Sequence, residues 1–435
     1  MESYYTRREL FLGGLTLGAA LAGGLLLTGS SRWMQQADAT RSGDNHRQLA
    51  LPWNGLDFVW LPDNNRLAIA SASGLGIVET SKGYLNWQQW PVMDASQHGV
   101  SGPRVISWSS DGTRVMSLLA MTVQVLDVLS GRLLWSRHID QAASVALSPN
   151  GTYLAIAPSS VQPSRPNANA NVQIWNVSEG RLAFQSGAHG PSPRVVKSIL
   201  WSPDNTRIAT TSQEGTVQVW RVADGLRLWS ASAGGSQQAI SWSPDGSTIA
   251  FVAGGMDGQA RLGLWDAHSG EQRFQTPALV GFLSDLRDDQ VAWSPDGTRI
   301  SFSVQARDGS LIEVWSTQSG RRLFTCQAVS GQSPVPTWSP DGRYIAAGQT
   351  IVGGGEMVRG DNGDRSVIQF WDARNGNALF TYSAPKSPQS LTWSPDSRSL
   401  AIITPRVYGA LANSTCLSLC RYGYSDYALE VYRVV

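Results

Sequence analysis

Apolar and polar residues alternate in short bursts along this chain instead of recurring at helical spacing. The stretch 237–253, "QQAISWSPDGSTIAFVA", is representative. Apolar Ile240 and Trp242 lead into Ser-Pro-Asp-Gly, and the alternation resumes at Ile249 and Phe251. Period-two alternation on both sides of a four-residue polar break predicts a strand, a tight turn and a returning strand. Ser, Pro, Asp and Gly suit the four positions of a type I turn, with Pro presetting φ at the second.

The unit recurs. Aligned on "WSPDG", the chain divides into eight units, with Trp or a substitute at Trp60, Trp108, Leu147, Trp201, Trp242, Trp293, Trp338 and Trp393. A second motif follows, as in "VQIWNVSEGRLAF" (172–184) and "IQFWDARNGNALF" (368–380), with Trp five residues before Gly and an aromatic four after it. It reads as a third strand, a turn that needs the permissive φ of Gly, and a fourth strand. Units of about 45 residues, each a four-stranded antiparallel meander, predict an all-β propeller with eight blades. Seven blades, with the first unit packed differently, is the alternative. The eighth unit stops after its third strand, where Tyr432 takes the Trp position, while "NHRQLAL" (45–51) is a strand without a unit. Pairing the two, with Leu49 near the aromatic position, would close the ring and remove an open sheet edge.

These units resemble WD-repeat β-propeller blades in the "WSPDG" style of bacterial propellers, over roughly residues 47–435. The resemblance implies a rigid disc that serves as an interaction scaffold. It also implies a hydrogen-bonded tetrad of Gly-His, Ser or Thr, Asp and the third-strand Trp in each blade. Only the fourth unit approaches that set, with His189 ahead of Trp220 and Glu214 in place of Asp. Most blades are therefore expected to hold by packing.

The first 39 residues form a separate segment ahead of a propeller over 40–435. Arg7 and Arg8 precede an uncharged run from Leu10 to Ser31, the layout of an export signal. The paired arginines resemble the twin-arginine type, and "ADA" at 37–39 would be a small-residue cleavage site. Left uncleaved, the run is long enough to anchor the chain in a membrane. Either outcome places the propeller outside the cytoplasm.

Composition narrows the function. A net charge of +1 with 15% charged residues gives no reason to expect nucleic acid as a partner. Of the 18 tryptophans, all but Trp33, Trp53 and Trp90 fall on repeat positions and are expected in the core. The turns between strands one and two, and three and four, share one face and are nearly constant in length. The remaining connections vary, with long segments at 158–171, 351–365 and 405–426. Loops on a rigid scaffold commonly carry function, so the variable face is the expected binding face. Its candidate residues are Trp90, Arg165 and His189 on the earlier connections, and Asp257 and Asp308 on acidic ones. Glu356, Arg359, Asp361 and Asp364 lie in the seventh unit, and Tyr408 and Tyr422 in the eighth. Cys416 and Cys420, four apart, could form a disulfide outside the cytoplasm.

No nucleophile–base pair, metal-ligand spacing or phosphate loop emerges, so neither a cofactor nor a metal is expected. The expectation is a monomeric, non-catalytic scaffold for a protein or peptide, with membrane contact through the N-terminal segment. The alternative is a propeller hydrolase or carbohydrate-binding protein that uses the acidic loops.

Overall fold

In the computed structural model the described residues are 33–36, 39–41, 46–51 and, from 55 to 434, the strands and tight turns of the blades except 82–83. Residues 1–32 and the longer connections, including 90–102, 159–171, 187–195, 277–290, 352–364 and 406–426, lie outside them. The chain builds eight antiparallel blades in a ring, not seven. Blade five is typical: Gln238–Trp242, Thr248–Gly254, Ala260–Asp266 and Gln272–Gln275 pair in chain order.

The "SPDG" turn is held by its own side chains. In blade five the Gly246 N–H donates to the Ser243 carbonyl at 2.8 Å, and Gly246 adopts φ of +69°. The Ser243 hydroxyl donates to Asp245 at 2.6 Å and accepts the Thr248 N–H at 2.9 Å. Asp245 also accepts the Ser247 N–H at 3.0 Å. Three blades place Asn64, Asn205 or Ser397 at the glycine position, with φ of 58°, 62° and 62°. Each uses its side-chain oxygen to accept a backbone N–H from the preceding blade's turn: Asp396 at 2.8 Å, Asn150 at 2.9 Å and Asp341 at 2.9 Å, respectively. A strained left-handed residue is thus offset by a bond between blades.

The same turns interlock neighbouring blades. A Cβ on Gly376 would lie 2.5 Å from the ring of Phe324, and one on Gly270 2.6 Å from that of Trp229. In blades three to six the fourth-strand aromatic therefore lies against the next blade's turn glycine. Sequence spacing alone could not separate this contact from the demand for positive φ. The residue opening the second strand covers the next blade's first-strand Trp: Arg207 over Trp242 at 5.2 Å, and Tyr344 stacked on Trp393 at 6.1 Å. In the other direction the indole N–H of Trp201 reaches the Ala146 carbonyl (3.0 Å), and that of Trp242 reaches Leu200 (3.3 Å).

Eight buried apolar clusters occur among the described residues, each shared by two adjacent blades. An open array of eight blades would have one interface fewer, so the ring is closed. The closing cluster joins Phe58, Trp60, Leu67 and Ile69 of blade one to Ala401 and Ile403 of blade eight, and the Trp60 indole donates to the Thr392 carbonyl at 3.1 Å. His46–Leu51 pairs antiparallel with Tyr427–Arg433 as the fourth strand of blade eight, with Ala39–Arg41 added outside it. The expected closing strand is present, but its register is shifted. In blades two to seven the aromatic opposes the residue before the third-strand Trp position, as Phe324 opposes Val314. Arg47 opposes the corresponding Val431, and Leu49 sits two residues further along, opposite Leu429. No turn links these two strands, so their register follows from pairing alone.

Candidate functional site

Antiparallel order places the tight turns of each blade at one end of its sheet, and this face is described except at 82–83. Between blades four and five it carries an open groove of about 490 Å³. Thr206, Arg207 and Arg221 of blade four face Asp245, Asp266 and His268 of blade five across it. The charges are already engaged. Arg207 donates to the carbonyls of Gly246 (2.8 Å) and Ala267 (3.1 Å), bracing the next blade's two turns. The Arg273 guanidinium, 2.8 Å from Asp266, holds that carboxyl well below the usual carboxylate range, with help from the N–H groups of Ser269 and His268. Burial opposes ionisation of Asp245, but the Ser243 hydroxyl and the Ser247 N–H and hydroxyl lower its pKa overall. Arg221 likewise takes exposed Asp224 down to about 2. These carboxylates accept turn donors and stay ionised near neutrality, so none is poised to take up a proton.

Asp57, on the first strand of blade one, behaves differently. Burial pushes its carboxyl up to about 6 against the Phe58 N–H and the Trp108 indole, which both donate to it. It is the residue that blade one presents to the indole of blade two, where blades three, four, six and eight present a carbonyl or hydroxyl. Cys326 is fully buried and burial pushes its thiol up to about 12. It behaves as a small core residue, as its place on a fourth strand suggests.

The tetrad survives in part. In blade four the Trp220 indole donates to Thr210 Oγ1 at 3.0 Å, while His189 and Glu214 lie outside the described residues. Other blades use a device that sequence reading missed, a Gln or Glu two residues before the Trp. The Trp175 indole donates to Gln173 Oε1 (3.1 Å), and that of Trp315 to Glu313 Oε2 (2.9 Å), whose other oxygen accepts Arg322 (2.9 Å). The i, i−2 spacing that puts both side chains on one strand face was the available signal. These blades hold by packing plus this bond.

The candidates on the variable face are not brought together by any described geometry. Trp90, Arg165, His189, Asp257 and Asp308 lie outside the described residues, as do Glu356, Arg359, Asp361, Asp364, Tyr408 and Tyr422. So do Cys416, Cys420, Arg7 and Arg8. What the structure provides is the rigid rim from which those connections leave.

Residues 183–221 and 231–266 match the WD40 family, described as WD domain, G-beta repeat. Both matches begin in the fourth strand of one blade and end with the third strand of the next, the same stagger that closes the ring. With the eight-bladed fold they support a WD-repeat propeller. The chain is 26% identical over 190 residues to the F-box-like/WD repeat-containing protein TBL1X of Mus musculus, covering 41% of this chain and 34% of that protein. It is 23% identical to the WD repeat-containing protein slp1 of Schizosaccharomyces pombe over 53% of this chain and 42% of that one. It thus spans less than half the length of either relative. In fold it is similar to the C-terminal WD40 domain of Sif2, with a TM-score of 0.58 at 15% identity, covering 88% of this chain and 97% of that domain. The computationally designed Ika8 protein matches with a TM-score of 0.59 at 16% identity, over 88% of this chain and 98% of the design.

Proposed function

We propose that this chain is a non-catalytic scaffold, held outside the cytoplasm, that binds a protein or peptide through its variable-loop face. The observation that carries the reading is the division of labour within each blade. The tight turns spend their polar groups on their own hydrogen bonds and on the next blade, so the ring is rigid before any partner arrives. Connections of unequal length leave the opposite ends of the strands. A preformed surface of this kind binds a macromolecule at little ordering cost. The likeness to WD-repeat proteins supports a protein-binding role. Arg7, Arg8 and the uncharged run after them support export or anchoring, and the closed ring, without an unpaired blade, supports a monomer.

The test is capture from native cell envelope with mass-spectrometric readout. Full-length protein is compared with a version in which 351–365 and 405–426 are cut to short turns. A protein enriched by the first and lost with the second is the expected result. Equal recovery by both moves the binding face elsewhere. No retained protein, together with turnover that depends on Asp257 or Asp308 in glycoside or ester substrate screens, would replace the scaffold reading with a hydrolase.

A further inference from the structure

The net charge of +1 conceals differences in charge among the tight turns. The residue after the turn glycine position is small and polar in six blades: Asn65, Thr113, Thr152, Thr206, Ser247 and Thr298. In blades seven and eight it is Arg343 and Arg398. The turn requires only the backbone N–H at this position, and both arginines supply it, to Asp341 at 3.0 Å and Asp396 at 3.1 Å. Their guanidinium groups are therefore surplus to the turn. A third arginine, Arg433, opens blade eight's last segment, where Asp127, Asn176, Asp266 and Asp372 accept turn N–H groups in other blades. An arginine has no acceptor to offer there. Arg321 follows the turn glycine of blade six.

All four arginines are exposed, and among the described residues none forms an ion pair with a carboxylate. Three are linked by turn hydrogen bonds. The Asp341 N–H donates to Ser397 Oγ, joining the turns that bear Arg343 and Arg398, and the Val434 N–H donates to the Arg398 carbonyl at 2.7 Å, bringing Arg433 alongside. Blades two and three also place an arginine after the turn glycine, Arg132 and Arg181, and blade four has Arg221 at the Arg433 position, but Arg181 is paired with Glu179 and Arg221 with Asp224.

We propose that the tight-turn face of blades six to eight is a docking surface for an acidic polypeptide segment, separate from the variable face. The arginines alternate with the turn carboxylates Asp341, Asp372 and Asp396, so positive charge comes at intervals, not as a continuous stripe. Discrete carboxylates on a peptide fit that spacing, whereas a continuous polyphosphate or anionic bilayer would meet the acids as well. Leu323 and Leu379, 49% and 45% exposed on the outer strands of blades six and seven, offer apolar contact beside the charges. Guanidinium groups on rigid turns favour carboxylate recognition.

The test uses full-length protein and a fluorescein-labelled peptide of alternating Glu and Gly, read by anisotropy at low and at physiological salt. Arg343→Thr with Arg398→Thr copies the residue most other blades use, so the turn is preserved, and a melt of each variant checks it. Arg132→Thr with Arg181→Thr, on blades two and three, is the control. Affinity should fall roughly tenfold in the first pair and less than about twofold in the second, with added salt narrowing the difference. Equal losses in both pairs, or no saturable binding, would overturn the proposal. So would a single-stranded oligonucleotide or phosphatidylserine vesicles binding more tightly than the peptide through the same arginines.

Discussion

Gln124 and Gln173 occupy the same place in blades two and three, two residues before the third-strand Trp position. In blade three the Trp is present, and Gln173 Oε1 accepts its indole N–H at 3.1 Å. In blade two the position holds Leu126, fully buried, and Gln124 is left with both amide atoms unpartnered at 0% exposure. Ser117, opposite Gln124 in the ladder, has an equally orphaned hydroxyl. It stands where Thr210 accepts the Trp220 indole in blade four. The change of Trp to Leu removes the one indole N–H that could have served either Gln124 Oε1 or Ser117 Oγ. A buried polar group without a partner costs about 1–3 kcal/mol, and Gln→Met nearly conserves volume, which cores tolerate well. Gln124→Met should therefore stabilise the protein by about 1–3 kcal/mol. Gln173→Met should destabilise it by about 1–2 kcal/mol, because it strands the Trp175 indole. Urea unfolding followed by tryptophan fluorescence reads both, with the shift in midpoint as the measure at constant slope. Opposite signs at equivalent positions are the expectation. Loss of stability in Gln124→Met would mean that this amide is satisfied inside blade two, by an ordered water bridging it to Ser117, and that the orphan argument is wrong.

Asp57 should give the protein an unusual pH response. Its folded pKa of about 6 lies above the unfolded 3.8, so the folded state binds more protons between these values, and the stability contribution of Asp57 falls as pH rises through that window, by about 3 kcal/mol in all. The turn carboxylates such as Asp296 are lowered and act in the opposite sense, losing stability as pH falls. The difference in melting temperature between wild type and Asp57→Asn isolates the first effect, and a difference that stays flat from pH 4 to 7 would refute it. Gly376→Ala should cost roughly 2–4 kcal/mol, because φ of +77° is combined with a Cβ 2.5 Å from Phe324 and 3.0 Å from the Thr325 carbonyl. Gly180→Ala, with φ of +67° and open space around it, should cost only about 1–2 kcal/mol; equal losses in urea titrations would remove the steric argument. Deleting 40–52 takes away six paired residues of blade eight and should cost roughly 6 kcal/mol at about 1 kcal/mol for each, and an unchanged melting temperature would refute the closure.

Blade number, strand order and the closing strand were legible because each rests on local pattern. "WSPDG" is a turn whose chemistry is complete within six residues, and "WxxxxG" followed by an aromatic marks the next one. The stray "NHRQLAL" had one unpaired partner available. Less legible were the features that depend on a neighbour 40 or more residues away. The aromatic after each Gly looked like a core residue of its own blade, yet Phe324 is set against Gly376 of the next. "SPDN" at 202–205 and "SPDS" at 394–397 differ from "SPDG" only in their last residue, and Asn205 and Ser397 bind the preceding blade. Arg343 and Arg398 were invisible in a total charge of +1 because a sum carries no information about place. The variable face was inferred from segment length, which identifies where chemistry can be added without saying which chemistry.

The seam in blade eight has a topological meaning beyond its contribution to stability. His46 lies opposite Tyr432, so His46 and Val434 stand where the other blades have their turn between strands three and four. A link of turn length at that point would make the polypeptide a continuous loop, and the loop could then be opened at any blade-to-blade connection without altering a single interface. The disc has no intrinsic first blade, and its numbering is a property of the gene.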